Sequence, residues 1–467
     1  MTARSWYPGR HVLVGGTGVT GAAVTRALQS VGARVTVFDR VDSPGLQALS
    51  EAGAEVLVDP AELPGDTEQV VVSPGFRPDH PLLAGPLAAG VEVFSEPELA
   101  WRLRPEPHTP WLAVTGTNGK TTTTTMLATI LESAGLRTTA VGNIGVPLID
   151  AVLDPQPYDV LAVELSSYQL HWSSTLAPAA AALLNLADDH LSWHGGFATY
   201  AAAKAKLWQF PETTAVGNVQ DPRVAELLAT APGRRVGFTL EAPMPGQFGV
   251  VQTLLVDRAF TPDPSRASEV GSVTDVRPAG PHNVANALAA AALARSHGVD
   301  PDAVAAGLAT YQPEPHRNAL VAVSQDGVTW VDDSKATNPH AAEASLRAYP
   351  RVVWVAGGQL KGVDIAPLVA AVADRLVGAV LLGVDRAEVA EALRRHAPHV
   401  PVRDVSRADD GAMTEVVAAA AELAAPGDTV LLAPAAASLD MYSSYAARGH
   451  AFAEAVEKLA AANPSDG

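Results

Sequence analysis

The stretch Val114–Thr125, VTGTNGKTTTTT, constrains this chain more than any other. It follows an apolar run (Trp111, Leu112, Ala113, Val114) and precedes one with helical spacing (Met126, Leu127, Ile130, Leu131). A strand, a glycine-bracketed loop, a lysine, a hydroxyl and a helix, in that order, make a cradle for a nucleoside triphosphate. Gly116 and Gly119 let backbone N–H groups approach phosphate oxygens, and the helix N-terminus adds its positive dipole end. Lys120 reaches the β/γ-phosphates, Thr121 offers a hydroxyl to Mg2+, and Thr117, Asn118 and Thr122 complete the expected ATP loop. Two residues separate the glycines where the common P-loop has four, a form restricted to fewer families. One or two hydroxyls of the threonine run are expected on metal or phosphate, and the others as first-turn caps.

At about 100–200 residues per domain, a chain of 467 residues holds two to four domains, each able to bury a core. The net charge of −18 and the pI near 5.1 argue against a nucleic-acid partner, while leaving room for a local basic phosphate pocket. The absence of cysteine excludes disulfides, thiolate metal sites and cysteine nucleophiles. The opening MTARSWYPGR has no apolar signal core, and no run approaches the roughly 18 apolar residues of a membrane span. A cytoplasmic monomer without a membrane span is expected.

Apolar β-branched runs alternate with helical segments throughout, which implies an α/β fold with parallel sheets covered on both faces. Three domains are expected: a Rossmann-like N-terminal domain over 1–108, a central P-loop ATPase-like sheet over 109–313, and a Rossmann-like C-terminal domain over 314–467. The first carries the strands HVLVGG and RVTVFD and the run Val70–Gly75; the second, after the linker RPEPHTP, carries DVLAVE and AAALLN. The third carries VTWVDD, RVVWVAGG, GAVLLG and DTVLLAPA. Pro-rich stretches at 242–246 and 261–265 read as loops, and 463–467 as a frayed tail.

Gly16-x-Gly18-x-x-Gly21 after a strand, with Asp39 eighteen residues on, is the dinucleotide-binding fingerprint. Its glycines license approach of a pyrophosphate to a helix N-terminus, and UDP carries a pyrophosphate as NAD does. Tight strand–helix turns without a ligand, and Asp39 as a helix cap, are the plain alternatives. Further on, Glu164 ends the strand DVLAVE, where a carboxylate sits beside the phosphate loop of a parallel sheet. The segment LLNLADDH brings Asp188, Asp189 and His190 to another strand end.

The sequence TGTNGKTT together with GNIG, ELSSYQL, NLxxDH and Tyr200-AAA-Lys204 resembles the central domain of the Mur ligases and folylpolyglutamate synthetases, ATP-dependent amide-forming enzymes. The resemblance continues through GPHNVANALAA, PHRN, DDSKATN and GGQLKG to APAAASLDMYSSYAARGHAF, and so spans all three domains. SKATN and the SLDxYxxYxxRGxxF tail are similar to the D-glutamate-adding branch of the family. The DNPR-type motif expected of diaminopimelate- or lysine-adding relatives is absent.

By resemblance, Lys120 and Thr121 match the phosphate-binding lysine and the Mg2+-ligating hydroxyl, and Glu164 and His190 match metal ligands. Lys204 aligns with a lysine that the family carbamylates; a carbamate would turn a repulsive ammonium into two oxygens for two Mg2+ ions. On its sequence context alone, Lys204 reads as a solvated helical lysine. Asn286 and Arg317 match adenine-side residues, and Asp333 a ribose-side acid. Gly18, Thr20, Asp39, Ser73, Gly75, Asn143, Ser166, Gln169 and His190 match the UDP-sugar site, whose substrate would be UDP-N-acetylmuramoyl-L-alanine. Lys335, Thr337, Lys361, Ser438 and Tyr445 match the holders of D-glutamate. Two departures stand out: Gln359 where some relatives carry an acid, and Tyr445 where others carry Phe.

The resemblance implies ATP phosphorylation of the L-alanyl carboxylate, then attack by the D-glutamate amine, with domain closure through 104–110 and 311–315. A dehydrogenase would use Gly16–Gly21 and leave Lys120 and Glu164 unexplained. A non-catalytic nucleotide-binding protein would have no use for SKATN and SLDMYSSY, and a sister ligase adding another amino acid is the nearest alternative.

Overall fold

The computed structural model describes residues 3–261, 263, 266–313, 315–407, 409 and 411–462. The tail expected at 463–467, Glu314 in the expected hinge, and residues 262, 264 and 265 of the expected loop lie outside these. Three α/β sheets are present, distributed over two units: Met1–Asp275 with Ala285–Tyr311, and Val276–Val284 with Gln312–Gly467.

In the first unit, β1 (His11–Gly15), β2 (Arg34–Asp39), β3 (Glu55–Val58), β4 (Gln69–Val72) and β5 (Glu92–Ser95) form a parallel sheet in the order β3-β2-β1-β4-β5. This is the doubly wound order, with the reversal between β1 and β4, where such sheets bind ligands. The apolar runs of β1, β2 and β4 are buried on both faces, as their near-continuous Val and Leu content requires, while the edge strand β3 is partly exposed.

The second sheet holds β6 (Trp111–Thr115), β7 (Ala140–Gly142), β8 (Leu161–Glu164), β9 (Ala180–Leu183), β10 (Thr214–Asn218), β11 (Arg235–Phe238), β12 (Gln247–Val251), β13 (Leu254–Asp257) and β14 (Ser268–Ser272). Their order is β14-β13-β12-β11-β10-β9-β6-β8-β7. The wholly parallel expectation holds from β7 to β12 and fails beyond: β13 and β14 pair antiparallel, because a short turn after Val251 leaves no room for a crossover helix. The pairing of β6 with β8 sets Val114 opposite Glu164, which carries the phosphate loop and that carboxylate to the same sheet edge.

No break in packing marks the expected boundary near 108. One hydrophobic core runs from Val12, Val37 and Phe94 through Leu103 and Trp111 to Val163 and Leu183. The helix Glu96–Leu103 joins the two sheets by polar bonds as well: Glu96 accepts from the Ile149 N–H at 2.6 Å, and Glu98 from Ser174 and Thr175. Burial pushes the Glu96 carboxyl up to about 7.

The second unit carries β15 (Ala319–Val323), β16 (Thr329–Asp332), β17 (Val352–Gly357), β18 (Leu376–Leu382), β19 (Val402–Asp404) and β20 (Thr429–Leu432), in the order β15-β16-β20-β17-β18-β19. All pairs are parallel except β15–β16, again a short hairpin. Among the described residues, no helix is long and apolar enough to cross a membrane.

The glycine turn after β1 is governed by one close approach. A Cβ on Gly21 would stand 1.9 Å from the Gly16 carbonyl oxygen, so the helix Val19–Ser30 packs there only because residue 21 has no side chain. Gly21→Ala gains about 1 kcal/mol of helix propensity but meets backbone that cannot retreat, an overpacking cost of roughly 1–3 kcal/mol or more. A net loss of stability, read as a lower urea midpoint, is expected; an unchanged or raised midpoint would show that the turn relaxes freely.

Candidate active site

The phosphate loop leaves β6 at Gly116 and enters the helix Lys120–Ser133 through Gly119, which has φ +82°. A Cβ at Gly119 would lie 2.4 Å from the Asn286 Oδ1, so the loop and the helix Pro281–Ser296 meet in a space that only glycine leaves open. The N–H groups at the start of the Lys120 helix have no intrahelical acceptor and suit an anion. The Lys120 Nζ donates to the carbonyl oxygens of Gly116 (3.1 Å) and Thr117 (2.9 Å).

Thr121 donates its hydroxyl to Glu164 Oε2 at 2.7 Å, and the Asn143 amide donates to Glu164 Oε1 at 2.8 Å. Glu164 is 1% exposed. Both hydrogen-bonding partners of this buried carboxylate are neutral. The charged group set against it is Lys204, whose own ammonium is disfavoured by burial, so the pocket leaves room for a further cation among oxygen donors. Carboxylate and hydroxyl oxygens are the hard donors that Mg2+ prefers, so the residues fit that ion. Among the described residues, no group of three or more His, Asp or Glu side chains gathers in metal-holding proximity. Asp188 instead reaches towards Arg223 at 3.5 Å and is largely exposed.

The threonine run departs from its expected capping role. Thr124 and Thr125 donate back to the carbonyls of Lys120 and Thr121 four residues earlier, within the helix. Gly119 stands at the cap position and brings no side chain, and these later hydroxyls, inside the helix, turn back to its carbonyls and leave the first-turn N–H groups open.

Lys204 is 2% exposed, against the solvated placement that its sequence context indicates. Its Nζ donates to the Gly116 carbonyl at 2.7 Å and lies 3.4 Å from Thr115 Oγ1, beneath the phosphate loop. Burial, reinforced by the charge of Lys120, drives its ammonium well below the ordinary lysine range. Tyr200, one turn earlier in the helix Phe197–Ala205, holds Thr117 Oγ1 through its hydroxyl at 2.7 Å.

At the first sheet, Asp39 accepts from the Thr17 N–H (3.0 Å) and hydroxyl (2.7 Å), bracing the glycine turn; Ser43, not Asp39, caps the next helix. Ser73 donates to the Gly15 carbonyl at 2.7 Å. Gly18 and Gly75 have open space where a Cβ would be, room for close approach of a ligand, and Thr20 follows in the first helical turn. Ser166 and Gln169 form a capping box on the short helix Ser167–His171. His190 has φ +52°, a side chain 45% exposed, Nε2 3.3 Å from Asp189 and a ring against Tyr168.

In the second unit Asp333, Lys335, Thr337, Lys361 and Ser438 lie on loops that follow strands, Arg317 precedes β15, and Tyr445 opens the helix Tyr445–Ala462. Asp333 is fully enclosed, accepts from the Asn318 N–H at 3.1 Å and from the Ser345 hydroxyl, and is pushed up to about 7 by burial. Arg317, next to Asn318 in sequence, is partly exposed. The Lys335 ammonium stands 3.9 Å from the Tyr445 ring centroid, so the aromatic at 445 has a cation–π partner. Thr337 donates its N–H to the Lys335 carbonyl, Lys361 has φ +56°, and Ser438 is buried. Residue types alone did not reveal Arg448, a buried guanidinium that donates to Ser334 and the Ala436 carbonyl. Its place in the RGxxF segment was the available signal.

Three family descriptions match the chain: "Mur ligase MurD-like, N-terminal domain" over residues 10–95, "Mur ligase middle domain" over 114–294, and "Mur ligase, glutamate ligase domain" over 316–436. The chain is 58% identical to the UDP-N-acetylmuramoylalanine--D-glutamate ligase of Thermobifida fusca, over 97% of this chain and 99% of that protein. It is 54% identical to the Streptomyces avermitilis protein of the same name, with 97% and 99% covered. Among solved structures it shares its fold with MurF from Acinetobacter baumannii, at a TM-score of 0.59 and 19% identity, over 98% of this chain and 93% of the other.

His194 offers a test of this packing. It lies buried with Nε2 3.0 Å from the Ser167 Oγ, its Nδ1 has no partner, and burial lowers it from 6.5 to about 4, aided by His171, His190 and Lys204. Between those values the unfolded chain takes a proton that the native chain refuses. The neutral imidazole therefore contributes stability in full above pH 6.5, and that contribution is lost as pH falls towards 4. His194→Phe should make the melting temperature fall less steeply across that window; parallel curves for variant and wild type would contradict it.

Proposed function

The chain belongs to the Mur ligase family, and from that premise we propose roles for its individual residues and the ions they hold. It is an ATP-dependent ligase that joins D-glutamate to UDP-N-acetylmuramoyl-L-alanine through an acyl phosphate, in peptidoglycan precursor synthesis. Residues 1–108 bind the UDP-sugar, 109–313 bind ATP and 314–467 bind the incoming amino acid. Because ATP and a UDP-linked sugar are cytoplasmic solutes, the reading puts the enzyme in the cytoplasm, and as a monomer.

The observation that carries the reading is the buried Glu164 carboxylate bonded to Thr121 at the start of the phosphate-loop helix. Glu164, Thr121, His190 and a carbamate on Lys204 would hold Mg2+, which when bound neutralises charge on the phosphate oxygens. Lys120 adds positive charge at the loop, where charge develops during transfer of the phosphoryl group to the L-alanyl carboxylate. The acyl carbon then takes the D-glutamate amine, and the tetrahedral adduct expels phosphate. Lys335, Lys361, Thr337 and Ser438 supply cations and donors for two carboxylates. A neutral amino acid would leave these groups unpaired at roughly 1–3 kcal/mol each. Asn286, Arg317 and Asp333 serve the nucleoside of ATP, and Gly18, Thr20, Asp39, Ser73, Gly75, Asn143, Ser166 and Gln169 the UDP-sugar.

Burial favours the neutral amine of Lys204. That amine can attack CO2 to form an N–C bond and release a proton, leaving a carbamate. Lys204→Ala should lower turnover at least about 10²-fold, the scale of one lost preorganised charge, with partial rescue by acetate or formate. Near-wild-type turnover without added carboxylate would remove the carbamate. The amino-acid assignment is tested by phosphate release with UDP-N-acetylmuramoyl-L-alanine against a panel of D- and L-amino acids. D-glutamate should be used best; better use of L-lysine, diaminopimelate or L-glutamate would leave only the ligase class standing.

A further inference from the structure

The shortened phosphate loop is held by a neighbouring segment, and one residue, Asn185, makes three of the attachments. The Asn185 Oδ1 accepts from the Asn118 N–H at 2.8 Å, its Nδ2 donates to the Asn118 carbonyl at 3.0 Å, and its own carbonyl accepts from the Thr117 N–H at 3.0 Å. Both polar atoms of the amide are thereby spent on the backbone of a single residue in the middle of the loop. The segment that carries Asn185 is itself fixed on either side. Leu184 donates its N–H to the Thr115 carbonyl at 3.0 Å, Leu186 donates to Asp221 at 2.8 Å, and Ala187 donates to Thr117 Oγ1 at 3.0 Å. With only Thr117 and Asn118 between its glycines, the loop has little backbone with which to brace itself.

We propose that Asn185 is a positioning residue for ATP: its amide sets the backbone of Thr117 and Asn118 so that the following N–H groups, from Gly119 into the first helical turn, meet the phosphates. The N–H groups of Thr117 and Asn118 are consumed by this clamp and do not bind phosphate. The proposal rests on the reading of residues 116–122 as the ATP loop. Preorganisation of this kind lowers the ordering cost of binding, so its loss falls on ATP affinity and on alignment of the transferring phosphoryl group.

The test combines amide hydrogen exchange and steady-state kinetics on the full chain. In wild type without nucleotide, the Thr117 and Asn118 amides should exchange slowly, and in Asn185→Ala the Asn118 amide, which loses its side-chain acceptor, should exchange quickly. Added ADP should increase protection from Gly119 to Thr122 and leave Thr117 and Asn118 unchanged. Asn185→Ala should raise the KM for ATP at least about tenfold while those for D-glutamate and UDP-N-acetylmuramoyl-L-alanine stay within about twofold, a split that general loss of packing would not give. Should the alanine variant fail to fold, Asn185→Asp keeps the size and the acceptor for the Asn118 N–H and loses only the donor to the Asn118 carbonyl. It is read by the KM for ATP, which should still rise while the other two KM values hold. A folded variant with unchanged Thr117 and Asn118 exchange and unchanged ATP KM would overturn the proposal, as would new ADP-dependent protection at those two amides. If ADP protects nothing from 116 to 122 while Asn185→Ala still frees the Asn118 amide, the clamp stands and the ATP-loop reading falls.

Discussion

Glu164 is a carboxyl group taken out of water and hydrogen-bonded by two neutral donors, the Thr121 hydroxyl and the Asn143 amide. Its charged neighbour is Lys204, whose ammonium is itself disfavoured by burial, and burying ions costs several kcal/mol each even after relaxation. Its surroundings make sense if a cation is brought with the substrate. The parallel pairing of β6 and β8 puts the acid at the strand end nearest the loop, and the helix after the loop supplies the hydroxyl. Lys204 enters from below with its Nζ on the Gly116 carbonyl. Three elements distant in sequence thus converge on one oxygen-rich point, and the two glycines of the loop keep that point open to phosphate.

Much of this was legible in the sequence because it depends on short-range pattern. The apolar runs at 11–14, 34–38, 111–114 and 352–356 could hardly be other than buried parallel strands, and the loop between Gly116 and Lys120 announces its chemistry by residue type. The fingerprint at Gly16–Gly21 was ambiguous for a physical reason: Gly21 is demanded by packing against Gly16, whereas Gly18 is free of any such demand. Spacing cannot separate a structural glycine from one that admits a ligand.

What escaped the sequence depends on tertiary placement. Lys204 looks like a surface lysine because nothing local reveals that its helix lies beneath the loop. The weld between the first two sheets, through Glu96, Glu98 and a common apolar core, is carried by acids that read as a polar helix start. The antiparallel strands β13 and β14 were hidden by short connections in a chain otherwise dominated by crossovers. In the second unit, Lys361, His316, Asn318 and Ala435 adopt positive φ outside glycine. Such strain is held only where surrounding contacts over-determine the backbone.

The central claim is that Glu164 awaits a divalent cation delivered with nucleotide. The direct measurement is calorimetric titration of ADP into wild type and Glu164→Gln, with and without Mg2+. The account predicts that Mg2+ tightens ADP binding to wild type and does so far less in Glu164→Gln, whose amide still fits between Thr121 and Asn143 but carries no charge. An equal gain from Mg2+ in both proteins would contradict it.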